Sequence, residues 1–173
     1  MIVEFQKRVP RIHPTVFIVE NAMVIGDVDL GEGVNVWFYS LIRGDVESIR
    51  VGAGCNIQDG CILHVARNFP LILENDVVLG HRVTVHGCRI AAGAMIGIGA
   101  TVLNGARVGE ESIVGAGSVV TPGAVIPPKT LAIGIPAKPV RNLEERDFDM
   151  IRHTRESYSQ LVKVYQNSTR VVD

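Results

Sequence analysis

Three histidines, His64, His81 and His86, are the side chains best suited to chemistry in this sequence. Neutral imidazole binds divalent metals at about 2.0–2.1 Å, and three of them leave a fourth position open for water or substrate. His81 and His86 fall five apart in the stretch "VVLGHRVTVHGCRI", residues 77–90. A helical zinc motif spaces its pair by four, which puts both on one face. A gap of five shares a face on neither a helix nor a strand. Nearby stand Arg43, Asp45, Asn56, Gln58 and Asp59. Carboxylates and amides of this kind anchor ligand rings and orient water. Whether the histidines cooperate depends on a backbone that is neither helix nor plain strand.

The repeat supplies that backbone. Aliphatic residues recur at every sixth position: Ile12, Ile18, Val24, Leu30, Val36, Ile42; then Val51, Ile57, Leu63; then Leu73, Leu79, Val85. A five-residue step leads to Ile90, and Ile96, Val102, Val108, Val114, Val120 and Ile126 keep the period. A period of six fits a coil with flat sides, each side one short strand and a corner. Three sides make a turn, so stacked turns form parallel sheets with strands about 4.8 Å apart. The aliphatic residues fill the prism, and small residues or glycine with unusual backbone angles make the corners. The slot four positions after the aliphatic residue is small or β-branched in most units, and it holds Cys55 and Cys61. The fold class expected is all-β, a parallel β-helix of hexapeptide repeats over 1–140, with a C-terminal helix and tail over 141–173 of the same domain. The coil is expected to stop at the prolines of "IPPKTLAIGIPAKPVRNL". Asn142 with Glu145 is expected to cap one amphipathic helix over 143–166, and "NSTRVVD" to fray.

Composition agrees and narrows the function. Apolar residues make up 47% of the 173 and aromatics only 5%, with 18 glycines, so the core is aliphatic and built of small units. A formal net charge of -1 gives no basic field for nucleic acid. No apolar run approaches the roughly 20 residues of a membrane span. The start "MIVEFQKRVP" lacks a signal peptide's apolar core, so a cytoplasmic location and reduced cysteines are expected.

The repeat gives each polar residue a coordinate. His64 follows Leu63 and His86 follows Val85, and those two aliphatic residues lie three sides apart. The two histidines therefore share one column, one turn apart, close enough to bind one ion. Arg43 follows Ile42 and precedes His64 in that column, with Asp45 two residues on. His81 follows Leu79 by two and lies around a corner, with Asp59 one turn before it in its own column. Gln58 is beside Asp59, and Asn56 is placed at the preceding corner. His81 points away from the other pair within one chain, but it can join a pair on a neighbouring prism. Three prisms about a parallel axis close that arrangement into a homotrimer.

The strings "LIRGD", "NIQDGCILH" and "LGHRVTVHG", with the final "GIPAKPVRNL", resemble the gamma class of carbonic anhydrases. The resemblance covers nearly the whole chain and implies a left-handed coil. It also implies a homotrimer with zinc, iron or cobalt between subunits, His64 and His86 coming from one chain and His81 from the next. It matches Arg43 and Asp45 to an interface ion pair, Gln58 and Asp59 to residues near the metal-bound water, and Asn56 to another polar residue of the site. Tyr158 resembles a tyrosine that some relatives place near the site. The segment "HVARNFP" lacks the acidic loop in which the best-studied pattern carries a glutamate proposed to shuttle protons. The implied reaction is reversible hydration of carbon dioxide to bicarbonate, by water that the metal acidifies to a pKa of about 7. Three other readings remain open: an acyl-CoA thioesterase on the same metal, a hexapeptide acyltransferase, and a non-catalytic metal-binding trimer.

Overall fold

The computed structural model of the chain describes residues 1–168. About seven turns of parallel coil are followed by one helix. Each turn contributes one short strand to each of three faces. The histidine face stacks Ile62–His64, Thr84–His86, Thr101–Val102 and Val119–Val120 on the earlier strands. The arginine face aligns Arg11, Asp29, Arg50, Ile72, Arg89 and Arg107. The helix face runs from Phe17–Ile18 through Asn35–Val36, Asn56–Ile57, Val78–Leu79, Met95–Ile96 and Ile113–Val114 to Thr130–Gly134. Two long strands, Met23–Leu30 and Leu41–Val51, run around the corner between the histidine and arginine faces and join them into one sheet of twelve strands.

The sixth-position aliphatic residues point inward as expected. Val24, Ile42, Leu63, Val85, Val102 and Val120, stacked on one face, are all 0% exposed. Burying each such side chain contributes about 1.5–3 kcal/mol before chain entropy is set against it. The small-residue slot is buried too, from Ala22 and Ser40 through Cys55 and Cys61 to Ala94, Ala100, Ala106 and Ser118. The glycines divide into two kinds where one reason was expected. Gly97, which directly follows an inward aliphatic, does not have a positive φ; a Cβ there would lie 2.6 Å from the Ala116 backbone nitrogen. Gly99, at the corner, has φ +66° and open space around it. The corner itself accepts other residues in the same left-handed conformation, Asp76, Arg82 and Glu111 among them.

The coil stops in the expected stretch, but that stretch is itself paired. The proline-rich stretch forms an antiparallel hairpin, Thr130–Gly134 with Ala137–Asn142, laid on Ile113–Val114. Pro139 fits because its strand is at the edge of the sheet, where a missing N–H breaks no further ladder. The helix, α1, spans Glu145–Ser168, and Asn142 does not cap it, being paired with Thr130 in the hairpin. The cap is made by Asp147, which accepts from the Glu144 N–H at 2.7 Å while Arg141 grips it from the hairpin. Residues 169–173 of the stretch expected to fray lie outside the described residues.

Helix α1 runs back along the helix face and is held by aromatic rings. Trp37 meets Tyr158 and Tyr165 edge-on, with centroids 5.3 and 5.1 Å away, and Phe17 at 5.3 Å. Among the described residues no helix is long and apolar enough to cross a membrane.

Candidate metal centre

The column coordinates hold. Leu63 pairs with Val85 and His64 with His86 across adjacent strands, and Ile42 pairs with Leu63 so that Arg43 precedes His64. His64 Nδ1 and His86 Nε2 face each other at 3.0 Å. Each ring is anchored through its other nitrogen. His64 Nε2 lies 3.1 Å from Asp45 Oδ1, and His86 Nδ1 meets Asn104 Oδ1. A carboxylate only accepts, and so does an amide oxygen, so both outer nitrogens carry the protons of the neutral rings. With both rings neutral, the two inner nitrogens are then lone pairs pointed at one another, an arrangement that a cation between them would satisfy. Two ligands at about 2.0–2.1 Å on a tetrahedral ion lie about 3.3 Å apart, close to what the pair shows.

Arg43 holds Asp45 in an ion pair. Burial opposes the Asp45 charge, but hydrogen bonds from His64 and Arg43 outweigh it and keep the carboxyl below its usual range. Burial, aided by the Arg43 charge, lowers the His64 pKa against the pull of Asp45. Both effects favour a neutral imidazole beside an ionised anchor, which a metal ligand requires.

His81 stands at the corner between the helix and histidine faces, in a turn with Arg82 at φ 58°. Its Nδ1 lies 2.9 Å from Asp59 Oδ2, the partner expected from its column. Asp59 therefore fixes the proton on Nδ1 and leaves Nε2 as the nitrogen with a lone pair. Tyr158 reaches that Nε2 from helix α1 at 3.3 Å. Burial, with the charge of Asp59, raises the Tyr158 pKa and keeps the phenol protonated. Asn56 is in a strand rather than at a corner, 1% exposed beneath helix α1, and accepts from Gln58 Nε2 at 2.9 Å.

The chain thus brings Arg43, Asp45, His64 and His86 together on one face, and Asp59, His81 and Tyr158 at another edge, with Gln58 and Asn56 buried beside the latter. Among the described residues no three histidine, cysteine or carboxylate groups converge on one point within the chain. Asn104, the anchor of His86, is a site residue that the sequence did not single out, although it lies 18 residues beyond His86.

Comparison with known proteins agrees with this architecture. The family described as bacterial transferase hexapeptide (six repeats) matches residues 87–127. A carbonic anhydrase of Geobacillus kaustophilus is 42% identical over 96% of this chain and 91% of its own. A Bacillus subtilis protein named uncharacterized transferase YtoA is 51% identical over 96% of this chain and 97% of its own. A Bacillus cereus crystal structure provisionally assigned as an acetyltransferase superposes with a TM-score of 0.95 at 40% identity, covering 97% of this chain and 98% of that one. The coil is that of the hexapeptide-repeat proteins. Within them, the chain belongs to the gamma-class carbonic anhydrase family.

Proposed function

We propose that the protein is a metal-dependent carbonic anhydrase, interconverting carbon dioxide and bicarbonate at sites shared between the subunits of a homotrimer. The observation that carries this reading is the pair of anchored lone pairs on His64 and His86, 3.0 Å apart. His64 and His86 of one subunit and His81 of the next would hold zinc, or iron or cobalt, in an all-imidazole set. A divalent ion so held supplies the Lewis acidity that brings the pKa of water down toward about 7. Asp45, Asn104 and Asp59 fix the tautomers of the three rings. Gln58, held by Asn56, would orient water or a substrate oxygen, and Arg43 keeps Asp45 ionised.

A single-chain site does not require mixing of subunits, so mixing tests the proposal. His64→Ala and His81→Ala proteins should each lose bound metal and hydration activity in stopped-flow assays. Unfolding and refolding them together should restore both in part, because one interface of each mixed trimer regains a complete set. No recovery in mixed trimers of confirmed composition rules out the shared site. The transferase names among the relatives favour a second reading, acyl transfer from coenzyme A thioesters. Turnover of acetyl-CoA by metal-free protein, with no hydration by the metal-loaded form, would establish it instead.

A further inference from the structure

Beneath helix α1 lies a row of polar side chains whose order has a direction. Trp37 Nε1–H donates to Asn35 Oδ1 at 2.8 Å. The Asn56 Nδ2 amino group donates to the same oxygen. Gln58 Nε2 donates to Asn56 Oδ1 at 2.9 Å. Asn35, Trp37, Asn56 and Gln58 are 6%, 2%, 1% and 4% exposed, so water does not compete for these bonds. A side-chain amide turned over by half a rotation exchanges its oxygen and nitrogen with almost no change of shape. A row of three amides alone has two polarities of equal standing.

Trp37 removes that degeneracy. An indole N–H donates and never accepts. It draws Asn35 Oδ1 toward itself, and that oxygen then demands the amino group of Asn56. Asn56 in turn faces Gln58 with its oxygen and demands the amino group of Gln58. The Cys55 carbonyl, 3.5 Å from Asn35 Nδ2, enforces the same sense from the other side of Asn35, because it only accepts. Gln58 is left with Oε1 as the atom that the row does not use.

We infer that Trp37 and Asn35 are positioning residues that set the amide polarity of Gln58, so that it presents an acceptor oxygen and not an amino group. The role rests on the carbonic anhydrase reading of the neighbouring site, where Asp59 follows Gln58 and pairs with His81. An acceptor oxygen left unused binds the O–H of water or of bicarbonate. An amino group in its place would instead bind bare anionic oxygen.

Trp37 is the chain's one tryptophan, which makes the test clean. Replacing tryptophan biosynthetically with benzothienylalanine exchanges the N–H for sulfur and keeps the ring packing. Trp37→Phe is the genetic counterpart. Phe17→Leu is the packing control, since Phe17 touches the indole without donating a hydrogen bond. The readout is hydrogen exchange at the side-chain amides of Asn56 and Gln58 by NMR. Protection of Gln58 should fall about tenfold or more in both Trp37 replacements, the loss expected of one buried hydrogen bond, and should persist in Phe17→Leu. In metal-loaded trimers the same replacements should lower kcat at unchanged metal content. Unchanged Gln58 protection in the analogue protein overturns the inference, whatever the activity. Lost protection with an unaltered kcat in an active enzyme overturns the role of the Gln58 oxygen. If the wild type hydrates no carbon dioxide, the proposed function fails, and the exchange arm still decides the polarity.

Discussion

Burial pushes the thiols of Cys55, Cys61 and Cys88 up to about 12. Cys55 and Cys61 also donate to the carbonyls of Glu74 and Gly80, at 3.0 and 3.2 Å. A thiol that does not ionise is not a nucleophile. Iodoacetamide at pH 8 is expected to leave the native protein unmodified and to label all three cysteines after denaturation, as read by mass spectrometry. Fast labelling of any one in the native state would show that it is not packed as described. Asp59 makes the opposite kind of contribution, holding a proton in place. Asp59→Ala should weaken metal binding by about 10–100-fold, measured by competition with a chelator, while Asp59→Asn should recover part of that loss through its amide oxygen. His64, His86, His81 and Asp59 could be placed from the sequence because each has a fixed offset from a repeat position. Asn104 could not, since it follows Val102 by two where His86 follows the paired Val85 by one, and only the side chains bridge that offset. Trp37 and Asn35 escaped for another reason: their partners are buried by a helix whose docking no periodicity encodes.

The strands and corners were largely legible, because a six-residue period leaves few alternatives. The two uses of glycine were not, since spacing alone does not separate a close approach from a left-handed turn. The difference is measurable. Gly99→Ala should cost about 1–2 kcal/mol, the strain of a left-handed residue with room around it. Gly97→Ala should cost more, because the neighbouring Ala116 backbone has to move, and chemical denaturation of the pair gives the comparison. The hairpin was read from its prolines as a stop, yet one proline on an edge strand is compatible with pairing. Its junction with helix α1 depends on acid. Hydrogen bonds from Arg141, and then from the Glu144 backbone, depress the Asp147 carboxyl to about 2. The folded value lies below the unfolded one near about 4, so this contribution is complete above that range and is lost as pH falls through about 2. Asp147→Asn should therefore lower the melting temperature at neutral pH and flatten its decline between about pH 4 and about 2. A variant with the wild-type acid profile would deny Asp147 this role.

At the scale of the whole molecule, the two halves of the candidate centre lie on different edges of one prism. The histidine face also leaves Ile62 44% and Met23 37% exposed, an apolar stripe beside His64. Light scattering should give three times the 18.7 kDa chain mass. Exchanging Ile62 for aspartate should yield monomers that retain the coil by circular dichroism and bind no metal. A fully metal-loaded monomer would refute the shared centre.

Helix α1 lies antiparallel to the direction in which the coil grows, and Tyr158 bridges two turns of it. Its hydroxyl touches His81, while its ring and that of Tyr165 both pack on Trp37, two turns earlier. The coil advances about 4.8 Å per turn and the helix about 1.5 Å per residue. The molecule therefore carries two rulers of different grain laid side by side, joined where the Tyr158 hydroxyl meets His81. The number of turns between His81 and the hairpin sets the zero mark of the second ruler. Lengthening the coil there by one turn would slide the helix by about 4.8 Å, roughly three helical residues, and carry the Tyr158 hydroxyl away from His81. Adding three or four residues at the start of the helix would bring it back.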